Sequence, residues 1–123
     1  MSSAAAKAYA RVATTTSSPR DIEAQALLKA ANKLQAIVGN ENATSEQISE
    51  ALMFNRKLWT IFLSDALRDE NNPQSIEVRQ NIANIGIFVL TQTMALQISP
   101  QVEHIKPLIE INRNLAAGLS GRA

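Results

Sequence analysis

The chain has 123 residues, with twelve basic and eleven acidic side chains and a net charge of +1. That length fits one domain able to bury roughly 60–70% of its extended surface, and the lack of cysteine removes disulfides and thiolate chemistry. Residues 1–40 hold five basic and two acidic side chains and the remainder seven and nine, with no basic stripe for phosphate neutralisation, so nucleic acid is not expected as a direct ligand.

The first twelve residues, MSSAAAKAYARV, contain a lysine and an arginine but no continuous apolar stretch, so no secretory signal is expected. No uninterrupted apolar run approaches the ~20 residues of a membrane span, and a soluble cytoplasmic chain without a membrane partner is expected. Residues 3–13 are alanine-rich, with Tyr9 and Val12 at helical spacing. Helices this short are marginal alone; the arm 1–17 is expected to be partly ordered, docking through Tyr9 and Val12 or fraying.

Ser18-Pro19-Arg20-Asp21 places an N-cap, an N1 proline and an acid in one first turn. The helix predicted there runs over 18–38, stops at Gly39, and buries Ala24, Leu27, Ala31, Leu34 and Val38. Thr44 and Gln47 form a capping box for a second helix over 45–68. Its seam is Ile48, Leu52, Asn55, Trp59, Phe62 and Ala66, widened by Ala51, Phe54, Leu58 and Ile61. Asn72-Pro73 signals a third helix over 73–97, and Ser99-Pro100 a fourth over 100–118. The fourth carries the seam Val102, Ile105, Ile109, Asn112, Ala116, Leu119 and a kink or boundary at Pro107.

Within the third helix, residues 79–97 read RQNIANIGIFVLTQTMALQ. Apolar residues fall on every side of the wheel, so this helix is expected to be the buried centre of the fold. Gly86 inside it costs roughly 1 kcal/mol against alanine, a cost offset if the alanine face of helix 18–38 approaches it closely. The expected fold is all-α: a compact bundle of four main helices plus a short N-terminal one, in a single domain 1–123.

Nothing in the sequence assembles a catalytic set. His104 is the only histidine and sits between Glu103 and Lys106 on a polar face; Asp69-Glu70 falls in a turn. Gly39, Gly86, Gly118 and Gly121 are too scattered to cradle phosphate. No enzyme activity, cofactor, metal or small-molecule substrate is expected. What stands out is amides within apolar seams. Asn55 and Asn112 lie midway along theirs, and Asn81 and Asn84 lead from Arg79 towards Phe88. Buried amides must be hydrogen-bonded or cost about 1–3 kcal/mol, and in packed helices they fix register. Two readings stay open. One is a structural amide network; the other is a groove lined by Asn55, Arg56, Trp59, Arg79, Asn81, Asn84, Asn112 and Arg113 that takes a protein partner. Trp59 at a seam position reads first as core, with an indole N–H that needs an acceptor. The pentapeptides FNRKL (54–58) and INRNL (111–115) echo each other and predict similar settings for Arg56 and Arg113.

Four blocks, YARVATTTSSPRDIEAQALLKAA (9–31), ALMFNRKLWTIF (51–62), VRQNIANIGIFVLTQT (78–93) and IEINRNLAAGL (109–119), resemble the flagellar biosynthesis regulator family FlaF. NRKLW and RQNIAN are the most specific. The resemblance implies a small, cytoplasmic, non-enzymatic protein of flagellated bacteria that promotes flagellin production. It implies flagellin as partner, bound in the manner of a secretion chaperone, with the repressor FlbT, which acts on flagellin messenger RNA, as a second candidate partner. Helix-in-groove capture of an amphipathic flagellin segment is the natural physical mode.

Overall fold

The computed structural model describes residues 19–68 and 75–121. The expected N-terminal helix, the Ser18 cap and the Asn72-Pro73 cap lie outside them. Four helices account for nearly all the rest: α1 (Pro19–Val38), α2 (Ser45–Leu67), α3 (Ile76–Ile98) and α4 (Val102–Leu119). No strand occurs among the described residues, and the helices close a four-membered bundle by short connections. α1 packs broadly on α4 and α2 on α3; α1 meets α2 less extensively, and α3 meets α4 only thinly.

The termini follow local chemistry. At α2 the Gln47 amide donates to Thr44 Oγ1 at 3.1 Å and the Thr44 amide donates to Gln47 Oε1 at 2.9 Å, completing the capping box. α3 begins later than its sequence signal, at Ile76, where the Ser75 hydroxyl accepts from the Val78 amide at 3.2 Å. Ser99 does not cap α4. The proline after it disfavours helical geometry, so Ser99 is extended and closes α3 by donating its amide to Ala95. α4 therefore starts at Val102 without a side-chain cap. It continues through Pro107, whose ring lies on the exposed face; the expected boundary is absent.

The core sits between all four helices, with Val89 and Leu96 entering it from α3. Leu27, Leu34, Leu52, Trp59 and Leu108 are fully buried there, and Ile105, Ile109 and Ala116 nearly so. Trp59 meets Phe62 edge to face at 5.5 Å between centroids. At the rim, Lys33 pairs with Glu50 at 3.0 Å, and the Lys29 and Lys33 ammonium groups stand 5.5 and 5.2 Å from the Phe54 ring centroid.

The expectation that the third helix is the buried centre is corrected. Only Gly86, Val89, Thr93 and Leu96 of α3 are buried, a stripe one side chain wide. Ile76, Ile87 and Phe88 are about half exposed and Ile98 is 87% exposed. α3 is a wall of the bundle leaning on α2, and apolarity all round a helix cannot bury more faces than it has neighbours. Trp59 and Leu63 of α2, not the alanines of α1, lie over Gly86; a Cβ there would stand 3.5–3.6 Å from them, ordinary contact. By length and composition α3 is also apolar enough to cross a membrane. Asn81, Asn84 and Gln92 break its apolar runs, which hid this in the sequence, but residues 80–98 contain no charge at all.

Candidate functional site

Two groups of polar side chains, separate in space, take up the amides picked out in the sequence. The first is internal. Trp59 Nε1–H donates to Asn112 Oδ1 at 2.9 Å, Asn112 Nδ2 donates to Asn55 Oδ1 at 2.8 Å, and Asn55 Nδ2 donates to Thr93 Oγ1 at 3.3 Å. The Thr93 hydroxyl passes its own proton to the Val89 carbonyl. All four side chains are completely buried. This relay joins α2, α3 and α4 through the bundle interior, and its bonds form only at one axial register. Asn55, Trp59 and Asn112 thus have no surface to offer a partner: they realise the network reading. Thr93 is the member that sequence reasoning missed. A lone threonine among TQT gives no periodic signal, and only its position opposite Asn55 reveals it.

The arginines separate. Arg56 is half-buried and its Nη1 donates to Gln97 Oε1 at 3.1 Å, tying α2 to the end of α3. Arg113 is exposed. The pentapeptide echo therefore holds for the asparagines, which bond each other, and fails for the arginines that follow them. Half-buried Arg79 donates from Nη1 to the Arg68 carbonyl at 3.1 Å, joining the start of α3 to the end of α2.

The second group is external. Because α3 and α4 touch so little, a groove opens between them, lined by Asn84, Ile85 and Phe88 on one wall and Ile111, Asn114 and Leu115 on the other. It holds about 910 Å³ of space open to solvent. Ile85 is 36% and Phe88 48% exposed. Asn81, also exposed, lies one turn before Ile85 on the same flank. Of the eight residues proposed from sequence, the groove gathers Asn84 and, at its edge, Asn81. Arg113 lies about 200° round the helix from Ile111 and faces away. Ile85, Phe88, Ile111, Asn114 and Leu115 went unassigned because their apolarity read as core.

None of the groove residues named is ionisable. Elsewhere, Glu23 of α1 sits in the cavity at the bundle end with Asp65, Phe62, Ile82, Leu115 and Leu119. Burial, and then the neighbouring Asp65 carboxylate, push its carboxyl above the ordinary carboxylate range, against a smaller lowering by Arg20. The described residues contain no group of three or more His, Asp or Glu side chains able to hold a metal ion.

Fold and groove together define a small all-helical bundle with a locked polar core and an uncharged, open apolar cleft among the described residues. A model of the flagellar protein FlaF family matches residues 5–119, and the chain belongs to that family, with a role in flagellar biogenesis. No curated protein and no solved structure matches the chain.

Proposed function

We propose that this protein is a non-enzymatic, cytoplasmic partner of flagellin that captures an amphipathic helical segment in the α3–α4 groove and so promotes flagellin production and export. The observation that carries the proposal is the charge-free half-exposed helix over residues 80–98, with Ile85 and Phe88 facing Ile111 and Leu115 across an open cleft. Exposed large apolar side chains gathered along a cleft are characteristic of an interaction site. A helix laid into such a cleft buries one apolar stripe and leaves its charged face in water. The amides Asn84 and Asn114 at the walls supply donors and acceptors for a partner without demanding charge. Capping a flagellin segment in this way would keep it from polymerising before export.

The alternative is a regulator that works through the repressor FlbT or flagellin messenger RNA without touching flagellin. FlbT, being a protein, fits an apolar cleft as well as flagellin does; RNA fits an uncharged one poorly. The deciding measurement mixes the purified protein separately with flagellin, FlbT and flagellin leader RNA. Micromolar or tighter affinity for flagellin, lost in Phe88→Asp, is expected; such affinity for RNA with none for flagellin would overturn the proposal.

A further inference from the structure

α3 carries a second apolar face, away from the groove. Ile76, Ile87 and Ile98 are 58%, 57% and 87% exposed and follow one another at equal spacings of eleven residues. Eleven residues make close to three full helical turns, so the three isoleucines fall on one line about 33 Å long. Met94, also exposed, lies one turn before Ile98 beside that line, and between the isoleucines the same face carries only the uncharged Gln80 and Thr91. Ile87 stands about 200° round the helix from Ile85 and about 100° from Phe88, so this face and the groove are separate surfaces. α2 continues the outer face. Arg56 bonds Gln97 and Leu63 lies over Gly86, so the two helices run antiparallel. Exposed Met53 and Leu67 sit one turn from Arg56 and Leu63 on that flank of α2.

The spacing is symmetric about Ile87, and that symmetry points to the occupant. Turned end for end, the line of isoleucines reproduces itself: an antiparallel copy sets Ile87 against Ile87 and Ile76 against Ile98 at both ends. An interface between two identical chains related by a two-fold axis requires such a self-matching surface, and the helix dipoles favour the antiparallel order. A charge-free stripe also brings no like charges together at the axis, and it holds nothing that would select an oppositely charged partner. The size is sufficient. A face about 33 Å long and two helices wide, roughly 18–20 Å, presents about 600 Å² per copy. Two copies would bury about 1,200 Å², where specific interfaces begin. A lipid surface is the less favoured occupant, because interfacial helices carry lysine and arginine on the flanks of their apolar stripe and residues 80–98 carry no charge.

We propose that this protein pairs with a second copy of itself through the outer face of α3, Ile87 lying on the two-fold axis and Ile76 of each copy packing against Ile98 of the other. The groove between α3 and α4 stays open in both copies, so the dimer offers two grooves on its outer flanks. This proposal does not rest on the function proposed above, and either can fail without the other.

Sedimentation equilibrium of the full chain is expected to show a mass that rises with concentration towards twice that of one chain. A single-chain mass up to about 1 mM, where even weak association registers, would refute the dimer. Ile87→Lys and Ile87→Glu are each expected to weaken association at least about tenfold, as substitutions at the centre of an interface do. Mixing the two variants should recover the doubled mass, which separates a lost contact from a lost fold; no recovery would count against the axis at Ile87. The chain has no cysteine, so single cysteines report the register. Ile87→Cys should oxidise to a linked dimer by itself, whereas Ile76→Cys and Ile98→Cys should link to each other in a mixture and not to themselves. Ile98→Cys linking to its own copy would rule out the antiparallel order. Phe88→Asp should leave the dimer intact; a dimer lost in Phe88→Asp and kept in Ile87→Lys would put the second copy in the groove instead. A chain that stays single but sediments with phosphatidylcholine–phosphatidylglycerol vesicles, and loses them on Ile87→Glu, would make the face a lipid contact and end the proposal.

Discussion

Asn112 holds more of this bundle's specificity than its size indicates. It accepts from Trp59 and donates to Asn55 in a space with no water access. Asn112→Ala would strand the indole N–H and the Asn55 carbonyl oxygen, each at about 1–3 kcal/mol. A loss of roughly 2–4 kcal/mol in urea unfolding is expected, and a loss under about 1 kcal/mol would mean that the relay adds little. Thr93→Val should cost less, because it orphans only the Asn55 amide hydrogen. Glu23 supplies a pH signature. Its folded-state pKa lies above the ordinary 4.5, so the native state holds this proton more tightly than the unfolded chain. The sign follows: stability falls as pH rises from 4.5 through the folded-state pKa, then levels off. Glu23→Gln is expected to raise the melting temperature slightly at pH 7 and to flatten that slope. A fall in melting temperature on this change would show that the carboxylate is held by a favourable partner.

At the scale of the helix, α3 decides the most. Its Gly86 faces Trp59 and Leu63 with room for a methyl group at ordinary contact distance. Gly86→Ala is therefore expected to stabilise the bundle by up to about 1 kcal/mol, through helix propensity and a less mobile unfolded chain. A destabilised variant would show that the α2–α3 spacing cannot yield even a few tenths of an ångström. Other helix signals were local enough to read directly. Of the α2 seam, Leu52, Asn55, Trp59, Phe62 and Ala66 are buried as their 3–4 spacing implies, while Ile48 is half-buried and Ile61, expected to widen the stripe, is 64% exposed. The Thr44–Gln47 box forms as its spacing implies. Ser99-Pro100 shows the limit of such signals. The same dipeptide can open one helix or close another, and the extended conformation of Ser99 chose closure.

For the molecule as a whole, the thin α3–α4 contact leaves an open apolar cleft on the side of the bundle. Phe88→Asp places charge on a side chain already half in water, so the fold should survive with its melting temperature nearly unchanged while flagellin affinity drops at least tenfold. Unfolding of this variant would instead make Phe88 a packing residue. Arg113→Glu, which on sequence grounds would weaken partner binding, is expected to leave it unaltered, because the guanidinium projects from the flank away from the groove. Affinity lost on that change with Phe88→Asp silent would move the site to the other side of α4.

The order of the four described helices and most of the buried faces of α1, α2 and α4 were legible in the sequence, because 3–4 periodicity and capping chemistry act within a few residues of themselves. Val102, expected on the α4 seam, is instead 47% exposed, and Leu108, not expected there, is fully buried. Even the pairing of Asn55 with Asn112 was foreshadowed, since two amides in two apolar seams had to find partners. Which side of α3 would be covered was not available at that level. An apolar side chain records a preference for burial, but whether it is buried depends on how many helices arrive beside it. Only the packed bundle, with α3 leaning on α2 and splayed from α4, separated Val89 in the core from Phe88 in the cleft.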